Sequence, residues 1–184
     1  MSTGLARETG AAVPRGPRLP LSPQPSGGAR ADHRVHVDPG VWRGVTEGAR
    51  AAALDTTAVL RTAFAEILGL WSRDPRFTLR ERTADGCRTL VADTLAKGGF
   101  AGRAAAPAGA VDASGPDVGP LVEFVDALDA DPAPAPAGPD PVLALRVSRA
   151  DGRVEARWEY ADGALPDGMV ADLAESWLDL LASL

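Results

Sequence analysis

Apolar residues recur along this chain with two different periods, and each change of period marks an expected element boundary. Val35 and Val37 alternate with polar neighbours and read as a short strand. Asp38 and Pro39 follow as an N-cap and a first helical residue, and Trp42, Val45 and Ala49 then recur at three- and four-residue spacing. That spacing predicts a helix ending near Leu54 or Asp55. Asp55, Thr56 and Thr57 cap a second helix, whose Leu60, Phe64, Ile67, Leu68 and Trp71 leave almost no polar break on one side. This is the best core helix in the chain. After Asp74-Pro75, Arg76 to Arg82 alternates, with Phe77, Leu79 and Glu81 on one side and Thr78 and Arg80 on the other, as a half-buried strand would. A weaker helix is expected from Arg88 to Lys97, stopped by Gly98 and Gly99, and a further strand over Pro120 to Val125.

The last third of the chain fixes its own register. With Asp151-Gly152 as a two-residue hairpin turn, Val147 falls opposite Ala156, Leu145 opposite Trp158 and Leu143 opposite Tyr160, so the apolar residues share one face. The other face pairs Ser148 with Glu155 and Arg146 with Arg157, a like-charged pair that needs water. Met169, Val170, Leu173, Trp177, Leu180, Leu181 and Leu184 form the apolar stripe of a final helix, with Asp172, Glu175 and Asp179 on its wet side. A helix packed on a sheet follows. Residues 1–32 read as a flexible Pro/Gly/Arg-rich arm and 33–184 as the folded unit, with loops at about 102–118 and 129–140.

Composition narrows the picture further. The 184 residues include 20 Gly and 16 Pro, gathered in stretches that do not pack, so one modest core is expected. A net charge of -6 with no Lys/Arg cluster argues against nucleic acid as a partner. No apolar run approaches the roughly 20 residues of a membrane span, so no membrane partner is expected. Cys87 is the only cysteine, which rules out an internal disulfide and fits a cytoplasmic protein.

Candidate chemistry is sparse. His33, His36 and Asp38 sit close in sequence, but residues 33 and 36 of a strand point to opposite faces and would not share a metal. Cys87 has no histidine placed to activate it and reads as an inert or surface thiol. Gly98 and Gly99 after Lys97 are too few and too badly spaced for a phosphate loop. Asp172, Glu175 and Asp179 read as the solvated face of an amphipathic helix. No catalytic, cofactor-binding or metal-binding residue is assigned, and no cofactor is expected.

Beyond single residues, a series of segments in common order carries a resemblance. Val13 to Pro25 resembles the Leu-Pro-x-x-Pro-x-Leu-Pro-Leu-x-x-x-Pro motif of nonribosomal peptide synthetase heterocyclization domains, departing only at Val13. Trp42 and the run from Thr57 through Ser72 to Arg76-Phe77-Thr78-Leu79 look like the same family's helix and following strand. Pro120-Leu121-Val122-Glu123-Phe124 resembles its Pro-Val-Val-Phe-Thr-Ser strand more weakly. Trp158-Glu159 and Leu165 to Val170 look like its C-terminus, with Glu159 where the family usually has Asp.

The resemblance implies an α/β fold: a chloramphenicol-acetyltransferase-like half, the C-terminal lobe of a condensation domain, with a small mixed sheet covered by helices. The family's Asp-x-x-x-x-Asp signature belongs to an N-terminal lobe that these residues do not match. Its Asp-Phe-Thr stretch is also unmatched, since Thr83-Ala84-Asp85-Gly86 leads straight into the helix expected near Cys87. No family catalytic residue carries over. The implied function is a non-catalytic accessory or interaction protein, a pseudoenzyme of nonribosomal peptide or antibiotic biosynthesis. Its expected partners are a synthetase module, a carrier protein or a tailoring enzyme, with self-association also expected from exposed apolar surface. The alternative is one half of a split heterocyclization enzyme that forms thiazoline or oxazoline rings with a partner lobe.

Overall fold

The computed structural model describes residues 16–22, 28–106 and 121–184. The expected flexibility of residues 1–15 and 23–27, and most of the loop expected at about 102–118, lie outside the described residues. The elements in chain order are β1 (Arg30–Val37), α1 (Pro39–Ala51), α2 (Thr56–Trp71), β2 (Arg76–Thr83), β3 (Gly86–Asp93), α3 (Gly99–Ala105), β4 (Val122–Ala127), β5 (Leu143–Ala150), β6 (Arg153–Ala161) and α4 (Met169–Ala182). The strands form one mixed sheet in the order β1-β6-β5-β4-β2-β3. β4 runs parallel to both β2 and β5, and the remaining pairs are antiparallel.

The capping residues read from the sequence act as caps. Asp38 accepts from the amides of Gly40 and Val41, satisfying donors that the first turn of α1 leaves free. Asp55 does the same for Thr57 at the start of α2. α1 stops at Ala51, short of Leu54, because Ala53 takes a left-handed conformation (φ 53°) and the chain turns there.

The β5–β6 hairpin has the expected register at every pair named above, from Leu143 opposite Tyr160 to Ser148 opposite Glu155. Asp151 and Gly152 both have positive φ, 51° and 75°, as a primed two-residue turn requires. Alternation then sends Leu143, Leu145, Val147, Ala156 and Trp158 to the face covered by α1, α2 and α4. The centre of that face is aromatic: Trp158 meets Phe64 of α2 edge-on at 5.6 Å and Trp177 of α4 at 6.3 Å.

Three expectations are corrected. Residues 88–97 are not a helix: Gly86–Asp93 is a strand paired antiparallel with β2, with Ala84 and Asp85 as the two residues of the turn. Gly98 and Gly99 consequently begin a short helix, α3, instead of ending one, and α3 carries the chain past the expected loop start at 102. β2 is buried on both faces over Phe77–Glu81 and not on one, since it lies inside the sheet and its second face is partly covered.

That cover comes from the β4–β5 connection, expected as a loop at 129–140. Ala133 donates its amide to the Thr83 carbonyl, and Pro141 accepts from Arg30, so the connection crosses the face opposite the helices. On the helical side, part of the N-terminal segment joins the fold. Leu19 is buried in the core, Arg18 donates its amide to Ser72 at the end of α2, and Ser22 donates to Ala164 ahead of α4.

Candidate functional site

α2 and the β2–β3 hairpin enclose the most polar part of the buried interior. Nearly two turns beyond its cap, α2 presents Arg61 to Glu81 of β2, which shares a strand face with Phe77 and Leu79 and is wholly buried. Arg61 Nη1 donates to Glu81 Oε1 at 2.7 Å, and Arg88, directly opposite in the hairpin, donates Nε to Oε2 at 2.5 Å. A buried carboxylate persists in such a place only when its oxygens are filled in this way. Arg61 is itself nearly buried, whereas Arg88 reaches solvent.

Two clefts flank this chain of charges. One, of about 310 Å³, has Ala65, Leu79, Leu90 and Ala92 among its lining, with an Arg103–Glu66 ion pair bridging α3 to α2. The other, of about 440 Å³, gathers Asp55, Asp85, Asp126 and Asp129 around Thr57, whose hydroxyl donates to Asp126. Among the described residues, no group of three or more His, Cys, Asp and Glu is placed to hold a metal ion.

The sheet face opposite the helices is ruled with charge. Glu123 accepts from Arg80 Nε at 2.8 Å and from Arg82 Nε and Nη2 at 3.2 and 3.3 Å. At the β1 edge, Asp32 meets Arg34 at 2.7 Å and Arg157 at 3.4 Å. The hydrogen bond from Arg34 holds the Asp32 carboxyl below its ordinary value, and the same bond raises the Arg34 guanidinium.

The residues weighed from sequence are scattered. His33 lies opposite Trp158 and His36 opposite Glu155 in the β1–β6 register, so the two point to opposite faces and are not brought together. Cys87 sits on the edge strand across from Arg82. Partial burial pushes its thiol up, with Glu123 adding to the rise against the opposing pull of Arg80 and Arg82, which is the reverse of nucleophile activation. Asp172, Glu175 and Asp179 are exposed on α4. The sequence reading passed over Arg61, Glu81 and Glu123. A signal existed for the first two: a glutamate on the apolar side of a strand, and an arginine inside the apolar stretch of the best core helix.

No protein-family model matches the sequence, and no curated protein matches it. Solved structures do match its fold. The cyclization-docking bidomain of the nonribosomal peptide synthetase EpoB from Sorangium cellulosum superposes with a TM-score of 0.72 at 20% identity, over 92% of this chain and 45% of that one. The X-domain from teicoplanin biosynthesis gives 0.70 at 16% identity, over 94% and 51%. The nonribosomal peptide synthetase FmoA3 gives 0.69 at 21% identity, over 92% and 23%. The chain thus spans about half, or less, of the length of the structures it matches. At these identities the likeness establishes the fold alone: a mixed α/β unit, with a six-stranded mixed sheet and four helices among the described residues, that superposes on part of each of these structures.

Proposed function

We propose that this chain serves nonribosomal peptide biosynthesis as an accessory binding lobe, docking on a synthetase module, a carrier protein or a tailoring enzyme without performing chemistry of its own. The observation that carries this reading is how the buried carboxylates are used. Both oxygens of Glu81 are taken by Arg61 and Arg88, and Glu123 is taken by Arg80 and Arg82. A general acid or base needs a proton-carrying atom within reach of substrate, and these atoms are committed to structural partners. Leu70, Trp71 and Leu95 add exposed apolar surface where Gly69 packs against Thr94, consistent with a surface that meets another protein.

A second reading is favoured by the likeness to a cyclization domain: the chain supplies one lobe of a two-chain heterocyclization enzyme. Affinity capture of the tagged chain from its native cells, with mass spectrometry of what is bound, separates the two. Recovery of a synthetase, carrier protein or tailoring enzyme supports the accessory role. Recovery of a companion lobe carrying Asp-x-x-x-x-Asp supports the split enzyme, and recovery of the chain alone sinks both.

A further inference from the structure

Two rows of side chains cross the open face of the sheet at right angles to the strands, and they do not match. The pairing registers place Arg82, Val125, Arg146, Arg157 and Arg34 side by side across β2, β4, β5, β6 and β1. The adjacent row holds Arg80, Glu123, Ala144, Glu159 and Asp32. Each carboxylate of the second row meets a guanidinium of the first: Glu123 with Arg82, Glu159 with Arg157 at 3.3 Å, Asp32 with Arg34. Arg146 has no such partner among the described residues. The neighbour two positions back on its own strand, where a carboxylate would reach it, is Ala144.

The missing side chain leaves room. A cavity of about 230 Å³ lies at this point, bounded by Ala144 and Pro141 and lined by Arg30, Arg80, Arg82 and Arg146. Only Glu123, Asp140 and Glu159 oppose the four guanidiniums, which leaves one positive charge over. Arg80 is the sharpest sign. Its side chain is 9% exposed and its one hydrogen bond among the described residues runs through Nε to Glu123, so its terminal amino groups make none among those residues and border the cavity. A guanidinium fork that borders a cavity is best matched by a planar carboxylate held through two parallel hydrogen bonds.

We infer that this cavity is a carboxylate-binding site, in which an incoming carboxylate takes the place over Ala144 and completes the row beside Arg146 and Arg80. The carboxylate belongs to a free small acid or to an Asp or Glu side chain of a bound polypeptide. One negative charge suffices to balance the lining. On a chain of net charge -6, a locally positive cavity also selects by sign. The site stands whether or not the chain docks on a synthetase.

The test follows the backbone amides of Ala144 and Arg146 by NMR while the full chain is titrated, at constant ionic strength, with acetate and separately with tetraglutamate. Saturable shifts at these amides are expected with both. Arg146→Gln should weaken binding about tenfold, the usual cost of a charge-assisted pair, and Arg43→Gln on exposed α1 should leave it unchanged. Ala144→Asp places a carboxylate in the gap and should abolish saturation. If that variant does not fold, Arg30→Gln replaces it, with weakened binding expected. Tighter binding of tetraglutamate assigns a polypeptide source, and equal affinity assigns a free acid. The inference is overturned if neither probe saturates, if Arg146→Gln binds as wild type does, or if inorganic phosphate binds more tightly than either carboxylate.

Discussion

The two faces of the sheet are built from alternate residues of the same strands, yet different forces hold them. On the helical face Leu145, Val147, Ala156 and Trp158 are wholly removed from water and packed against Phe64 and Trp177. On the open face Arg146, Arg157 and Glu159 of the same two strands stay partly exposed, and Arg157 forms an ion pair with Glu159. Burial is non-directional and scales with area, so the first face tolerates few losses of volume. Surface pairing is directional but screened, so the second tolerates single losses and reads out charge. One face therefore fixes the fold, and the other is free to carry recognition.

The largest effect should come from removing the side chain that joins the three packed elements. Trp158→Ala takes an indole from between Phe64 and Trp177 and should lower unfolding stability by about 3–5 kcal/mol, measured by urea denaturation. A loss below about 1 kcal/mol would mean the core is not organised around this residue. Glu81→Gln comes next. It keeps the shape but leaves Arg61 buried without its counter-charge, and about 2–3 kcal/mol should be lost by the same measurement. An equal loss in Arg88→Gln would contradict the comparison, since Arg88 is 60% exposed and Glu81 keeps Arg61 as its buried counter-charge.

How much of this could be read from the sequence depended on how local the determining interaction is. The β5–β6 hairpin was legible because Asp151-Gly152 demands a primed turn and that turn sets every later pair, from Val147 opposite Ala156 to Leu143 opposite Tyr160. β3 was not legible. It is an edge strand in which Leu90 is the one fully buried apolar residue, so Cys87, Thr89 and Val91 show no clean alternation, and Arg88 to Lys97 passes for a weak helix. The capped ends of α1 and α2 were visible in Asp38 and Asp55, because a cap is an interaction over two or three residues. The charged rows were invisible. They depend on β1 lying beside β6 and β2 beside β4, pairings between distant segments that no local pattern encodes.

The smallest effect belongs to the outermost pair and is the one that titrates. Asp32 is held below its ordinary value of 3.8 by its hydrogen bond from Arg34, with Arg157 adding attraction. A carboxyl whose folded value is depressed adds stability above its unfolded value and loses it as pH falls through the folded one. The contribution of Asp32 should therefore be present at neutral pH and vanish in acid below 3.8. Asp32→Asn should have a slightly lower urea midpoint than wild type at neutral pH, and the two midpoints should converge as the solution is acidified. The gap should also narrow with added salt, because the pair is exposed and screened. A difference that persists in strong acid would show that Asp32 acts through its shape on the edge strand and not through its charge, and the open face would then share more of the packing character of the covered one.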